Sequence, residues 1–342
     1  MPGRPRPLPP SLPYSVFTTT EARRAGVSAS RLRATDLRSL DRGLWARVDA
    51  QVTEADIVAA LCRRDGDVFA AGLTAARLWG LPLPGTLADE VVRAPLPARR
   101  LRGKSVYRPR GRAVDTRVHL AAAVVPRRET ALVRWSHLDA VPVALEKMPS
   151  VLATTRVRTL LDLSSLLRPD ALVAIGDHLV RHPRPEFEGR SHPYATCEAL
   201  TGIAEGFHGR GAHRFREAVA RVRVGSDSPA ETRLRLAVVA AGLPEPLANV
   251  RASGGTDKTG REIDLGEPDL HWPQWRVAVE HEGPTHLKAE QLAKDIARGE
   301  RRARAGWIEV RTTAKDLHDR CRRGVDRVRD ALVRQGWTPS SS

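Results

Sequence analysis

The chain has 342 residues, 41% of them hydrophobic, and a formal net charge of +16, with a pI near 10.9. That length accommodates two or three domains with ordinary cores. No apolar run is long enough for a bilayer-spanning helix, so a membrane protein is not expected and a cytoplasmic one is. The cationic excess predicts a polyanionic partner, nucleic acid first, because neutralising phosphates releases counterions. Its plainer source is the arginine and alanine bias of a GC-rich genome. Cys62, Cys197 and Cys321 are scattered and show no Cys-x-x-Cys spacing, so neither a zinc knuckle nor a disulfide framework is indicated.

Met1 to Pro13 is rich in proline and arginine, lacks the apolar stretch of a signal peptide and reads as a disordered tail. Residues 14–50 read as a small winged helix-turn-helix. Thr19-Thr20-Glu21 opens a helix that ends at Ala25-Gly26-Val27, and Ser28 is placed to cap a second helix over Ala29 to Leu37. Leu40 to Val48 alternates around a turn and forms the wing. In that fold the second helix, with Arg31, Arg33 and Arg38, enters the major groove of duplex DNA, and Arg42 and Arg47 of the wing touch phosphate. Such modules also pack protein against protein.

Residues 51–180 read as an α+β region. Trp79 and the leucines around it are core candidates, Glu90 to Ala94 and Arg117 to Leu120 are short strand-like runs, and Leu160, Leu163 and Leu167 mark the buried stripe of an amphipathic helix. Residues 181–225 read as a proline- and charge-rich loop or linker over 181–194 and a connecting helix from about Ala195 to Val222.

The C-terminal part, residues 226–337, concentrates the chemistry; the tail from 338 to 342 is expected to be disordered. Ser228-Pro229-Ala230-Glu231 starts a helix. Asp269 reads as a strand acid, and Arg276 to Glu282 alternates, so that three carboxylates lie on a β-hairpin, Glu280 and Glu282 sharing one face of the strand while Val277 and Val279 take the other. Like charges gathered in a partly dry site are costly unless a cation lies between them, and a hard divalent ion with oxygen ligands is the usual answer. His286 follows, then a helix with Asp295 and Arg298, then Gly306-Trp307 and a last strand through Val310 and Arg311.

In this order the elements of residues 226–336 resemble the very-short-patch-repair endonuclease-like family of the PD-(D/E)XK nuclease superfamily. The resemblance implies a restriction-endonuclease-like α/β/α domain in which Asp269 and Glu280 hold Mg2+ (or Mn2+), with the carbonyl of His281 as a further ligand and Glu231 as an outer one. It implies that the ion polarises the scissile phosphate and activates a water, with His286 as base or acid. Glu282 stands where many members carry lysine, so it would position water or join a second metal site instead. Each residue also has a plainer role: Glu231 in a capping box, Asp269 and Glu280 as edge-strand acids, His286 near a helix start, Asp295 and Arg298 as an exposed ion pair.

The N-terminal region resembles the antitoxin domain of abortive-infection type IV toxin–antitoxin systems through Phe17-Thr18, Ala25-Gly26-Val27-Ser28 and Arg42-Gly43-Leu44-Trp45. Further matching runs are Ala75 to Pro82 and Thr155 to Leu163. The expected architecture is therefore a multidomain α/β protein: a winged helix-turn-helix, a small α+β middle region and the nuclease-like domain. Two functions stay open. One is a metal-dependent endonuclease acting on double-stranded DNA, with RNA as another substrate; the other is a non-catalytic DNA-binding antitoxin or repressor with a cognate toxin as partner. A homodimer is compatible with either.

Overall fold

The computed structural model describes residues 5–85, 117–122, 124, 127–137, 145–147, 151–283 and 289–339. Those residues form a mixed α/β protein that divides into two compact units, Met1–Leu166 and Leu167–Ser342.

The N-terminal unit begins with β1 (Val16–Thr18), α1 (Thr19–Arg24), α2 (Ala29–Leu32), β2 (Leu37–Asp41) and β3 (Leu44–Arg47). The strands form an antiparallel sheet in the order β1-β3-β2. A capping box starts α1: the Thr18 amide donates to Glu21 Oε2 at 2.7 Å and the Glu21 amide to Thr18 Oγ1 at 3.2 Å. Ser28 caps α2 as expected, accepting from the Arg31 amide at 3.2 Å. The helix stops at Leu32, however, not Leu37, and β2 begins at Leu37 itself. Leu37 is buried with Phe17, Ala22, Val27 and Leu32, and that cluster also takes Leu12 and Leu8. The expected disordered tail is thus anchored by two of its leucines.

After α3 (Glu54–Arg64) the chain adds β4 (Val68–Ala70), α4 (Gly72–Leu78), β5 (Val118–Ala122), β6 (Val133–His137), β7 (Leu145–Lys147), β8 (Leu152–Thr154) and α5 (Arg156–Leu163). The strands make a mixed sheet in the order β6-β5-β4-β8-β7. The strand expected around Arg117 to Leu120 is β5; the one expected at Glu90 to Ala94 lies outside the described residues. Leu160, Leu163 and Leu167 are all buried, and Trp79 packs against the main core of this unit, as their apolar spacing predicts.

The second unit opens with α6 (Pro169–Val180), which sequence alone attaches to the middle region, then α7 (Pro185–Glu188), α8 (Cys197–Gly206), α9 (Ala212–Val219) and α10 (Pro229–Ala240). The single helix expected over Ala195 to Val222 is two, because the chain leaves helical geometry after Gly206 and Gly211 adopts φ 95°. A fully buried ion pair bolts α6 to α10. Asp177 Oδ2 accepts from Arg235 Nη2 and from Thr232 Oγ1, both at 2.8 Å, while Oδ1 accepts from the Arg223 amide at 2.8 Å. Both carboxylate oxygens accept hydrogen bonds, which is what a buried carboxylate requires.

The remaining elements are β9 (Leu247–Ala248), a small β10–β11 hairpin (Ser253–Thr256, Glu262–Asp264), β12 (Leu270–Trp272), β13 (Val277–Glu282), α11 (Ala289–Arg304), β14 (Ile308–Thr313) and α12 (His318–Arg334). Their main sheet runs β14-β13-β12-β9. β12 and β13 form the expected antiparallel hairpin, turned by a 3-10 segment with Arg276 at φ 50°. β13 and β14 are parallel, joined through α11. Strand alternation then sorts the two faces. Leu270, Trp272, Val277, Val279 and Val310 pack with Leu234 of α10 and Val328 and Leu332 of α12, whereas Ala278 packs with Ala252, Leu265 and Trp307. Among the described residues no helix is long and apolar enough to cross a membrane.

Candidate functional site

Register places the acids. Leu270 pairs with Val279, so one step back along the antiparallel ladder sets Asp269 across from Glu280. Both belong to the Ala278 face of the sheet. The Asp269 carboxylate is fixed by the amide of His281, which donates to Oδ2 at 2.6 Å. Burial, followed by the charges of Glu231 and Glu280, pushes the Asp269 carboxyl up to about 7, against the opposing pull of that amide.

Glu231 arrives from the start of α10. Its own amide donates to Ser228 Oγ at 3.3 Å, completing half of the expected capping box. The other half is missing, because the Glu231 carboxylate turns instead to the Asp227 amide at 2.9 Å and to Asn249 Nδ2 at 2.6 Å. Asn249, with φ 48°, also donates its amide to the carbonyl of Pro268 at 3.1 Å. One asparagine therefore ties the α10 acid to the segment that carries Asp269. Burial raises the Glu231 carboxyl as well, with its hydrogen bonds opposing.

Cations on the same face come from α11 and β14. Arg302 is completely buried; its Nη1 donates to Glu280 Oε1 at 2.5 Å and to Glu309 Oε2 at 2.8 Å, and its Nε to the carbonyl of Leu265 at 3.0 Å. Arg298, one helical turn earlier, binds Asp295 at 2.6 Å and approaches Glu280 at 3.8 Å. Arg311 binds Glu309 at 2.9 Å and Glu282 at 3.3 Å. Glu282 is exposed. His281 lies on the opposite side of β13, with Nδ1 at 3.1 Å from Thr312 Oγ1, and burial lowers its pKa. His271, beneath Asp269 on the acid face, is lowered to about 4 by burial and by Arg302, so it stays neutral.

The structure thus brings Asp269 and Glu280 side by side with Glu231 near enough to act on Asp269, and leaves Glu282 at the rim; His286 lies outside the described residues. The donors are carboxylate oxygens, which suit a hard divalent ion. Among the described residues, no group of three or more His, Cys, Asp or Glu side chains is arranged to hold a metal ion. Comparison with family models, with curated proteins and with solved structures gives no match. Sequence reasoning overlooked Asn249, Arg302 and Glu309. Arg302 had a signal: with Asp295 and Arg298 it repeats at the three- and four-residue spacing of one helix face.

The arginines singled out in the N-terminal unit separate into two kinds. Arg31 is consumed by a bidentate pair with Asp36 at 2.7 and 2.6 Å and by the Arg6 carbonyl at 2.8 Å. Arg38 and Arg47 are half-buried, and Arg47 Nη2 reaches the Leu12 carbonyl at 3.4 Å. Arg33, just past the end of α2, and Arg42, at the β2–β3 turn, are exposed. Charge pattern alone does not separate a guanidinium already spent on a neighbour from one turned to solvent.

Proposed function

We propose that the C-terminal unit carries a metal-dependent phosphodiester hydrolase acting on DNA, and that residues 14–50 of the N-terminal unit are a winged helix that grips the duplex. The observation that carries the reading is Asp269 set across from Glu280, with Glu231 tied to the same segment through Asn249; burial and those charges push the Asp269 carboxyl up to about 7. Acids gathered at that cost are what a cation would relieve. Mg2+ or Mn2+ bound by Asp269 and Glu280, with Glu231 outside them, would supply Lewis acidity and lower the pKa of a bound water.

The chain's own residues prepare that site. The His281 amide aims Asp269, Asn249 aims Glu231, and Arg302 holds Glu280 against the sheet. Arg298 and Arg311 lie on the same face, where cations would attract a phosphodiester backbone. Glu282, standing where the superfamily often has lysine, faces solvent beside Arg311 and would orient water instead. Arg33 and Arg42 would contact backbone phosphates, setting position without reading sequence.

A second reading is favoured by one observation: Glu280 already has a cation partner in Arg302. On that reading the sheet is a scaffold and the protein is a DNA-binding regulator, such as an antitoxin acting with a toxin partner. Incubating the purified protein and supercoiled plasmid with Mg2+ or Mn2+ decides between them. The hydrolase reading expects nicking, abolished in Glu280→Ala with DNA binding retained. A footprint on one operator with no cleavage under either ion would establish the regulator.

A further inference from the structure

Within the N-terminal unit, the β2–β3 turn, α3 and the β5–β6 connection border a groove of about 340 Å3, of which the reading above uses only Arg42. Its rim carries Arg42, Arg64, Arg127 and Arg128, its wall Trp135, and its edge Asp41 and Thr130. These cations are not equivalent. Arg64 is paired with Asp65 at 2.7 Å, and Arg127 with Asp65 at 3.0 Å and Asp67 at 2.9 Å. Arg42 and Arg128 are exposed, and among the described residues neither guanidinium has a carboxylate partner.

The one carboxylate in the groove is already committed. Asp41 Oδ2 accepts from Thr130 Oγ1 at 2.5 Å and Oδ1 from the Arg42 amide at 2.8 Å. Two permanently charged guanidiniums facing one cavity repel each other, and an anion between them would relieve that repulsion. Beside them stands the half-buried indole of Trp135, with the Arg127 guanidinium 5.4 Å from its ring centroid. A planar aromatic wall next to free guanidiniums is the combination that takes a nucleobase and its phosphate together. The volume is that of a small-ligand site, and a duplex cannot enter it.

We infer that this groove binds a single 5′-phosphorylated nucleotide unit, the phosphate between Arg42 and Arg128 and the base against Trp135. The unit is either a free mononucleotide or the end of a strand. Because Arg42 is also a proposed duplex contact, the informative variants are Arg128→Glu and Trp135→Phe. Calorimetric titration of the full-length protein with deoxyadenosine monophosphate, inorganic phosphate, and a tetranucleotide with or without its 5′-phosphate tests the inference without depending on cleavage.

The expected result is that the mononucleotide binds at least ten-fold more tightly than inorganic phosphate, with that affinity falling ten-fold or more in Arg128→Glu and measurably in Trp135→Phe. Tighter binding of the phosphorylated tetranucleotide would assign the groove to a strand end, and equal or weaker binding to a free nucleotide. Unchanged affinity in Arg128→Glu overturns the inference. So does equal affinity for inorganic phosphate, or a poly-glutamate peptide binding as tightly as the nucleotide. Circular dichroism of each variant separates loss of binding from loss of fold.

Discussion

At the scale of single residues, the acids and their partners set how stability responds to pH. Asp269 has its folded pKa raised from 3.8 to about 7. Such a group holds its proton longer in the folded state than in the unfolded one, so stability falls as pH rises between those two values and levels off above them. Asp269→Asn is expected to raise the melting temperature at pH 8 and to leave it nearly unchanged at pH 3.5. Thermal scans at both values check this, and equal shifts would contradict it. A divalent ion competing with that proton should stabilise the wild type more at pH 8 than at pH 5, and should lose that advantage in the variant. Arg302 presents the opposite case. Replacing it with methionine strands Glu280 and Glu309 without their buried cation, which is expected to cost about 3–5 kcal/mol in urea unfolding.

At the scale of elements, the hairpin was readable because strand alternation and the Pro-Gln-Trp turn agree over Leu270 to Glu282. The length of α2 was not. Arg33, Ala34 and Leu37 favour helix, and the poorer helix formers Thr35 and Asp36 oppose its continuation past Leu32 only weakly. Only the burial of Leu37 with Phe17 and the clasp of Asp36 on Arg31 turn the chain into β2. Glu231 shows the same limit, since the Ser-Pro-x-Glu pattern specifies the cap while the carboxylate's real partner, Asn249, lies across the fold. The approach to α10 also depends on one glycine. Gly225 has φ 121°, and a Cβ there would lie 2.2 Å from the carbonyl oxygen of Ala248. Gly225→Ala is therefore expected to destabilise by more than about 2 kcal/mol, because it joins a forbidden conformation to a backbone clash. Denaturant melts of the two proteins measure that difference.

For the whole molecule, the boundary lies at Leu166–Leu167 rather than at residue 226. The difference has a physical origin in Asp177, on a helix that sequence alone attaches to the preceding region, whose carboxylate is the buried partner of Arg235. A fragment starting at residue 226 would lose Asp177 and the cover that α6 gives α10, leaving Arg235 only its longer contact to Glu245 at 3.3 Å. Such a fragment is expected to be unfolded or aggregated, whereas residues 167–342 should give a cooperative melt and dispersed amide resonances. A folded 226–342 fragment would show that the ion pair is dispensable.

The order in which these contacts form follows from how close they lie along the chain. Asp269, Glu280, Arg302 and Glu309 belong to one continuous stretch in which β12, β13, α11 and β14 succeed one another. Loop closure between such neighbours is fast, so the acid-bearing strands and their arginine should gain amide protection together and early during refolding. Glu231 precedes that stretch, across β9 and the β10–β11 hairpin. Its junction with Asn249 joins positions 18 apart, closer than the 22 between Glu280 and Arg302, so Asn249→Ala should slow refolding as well as accelerate unfolding.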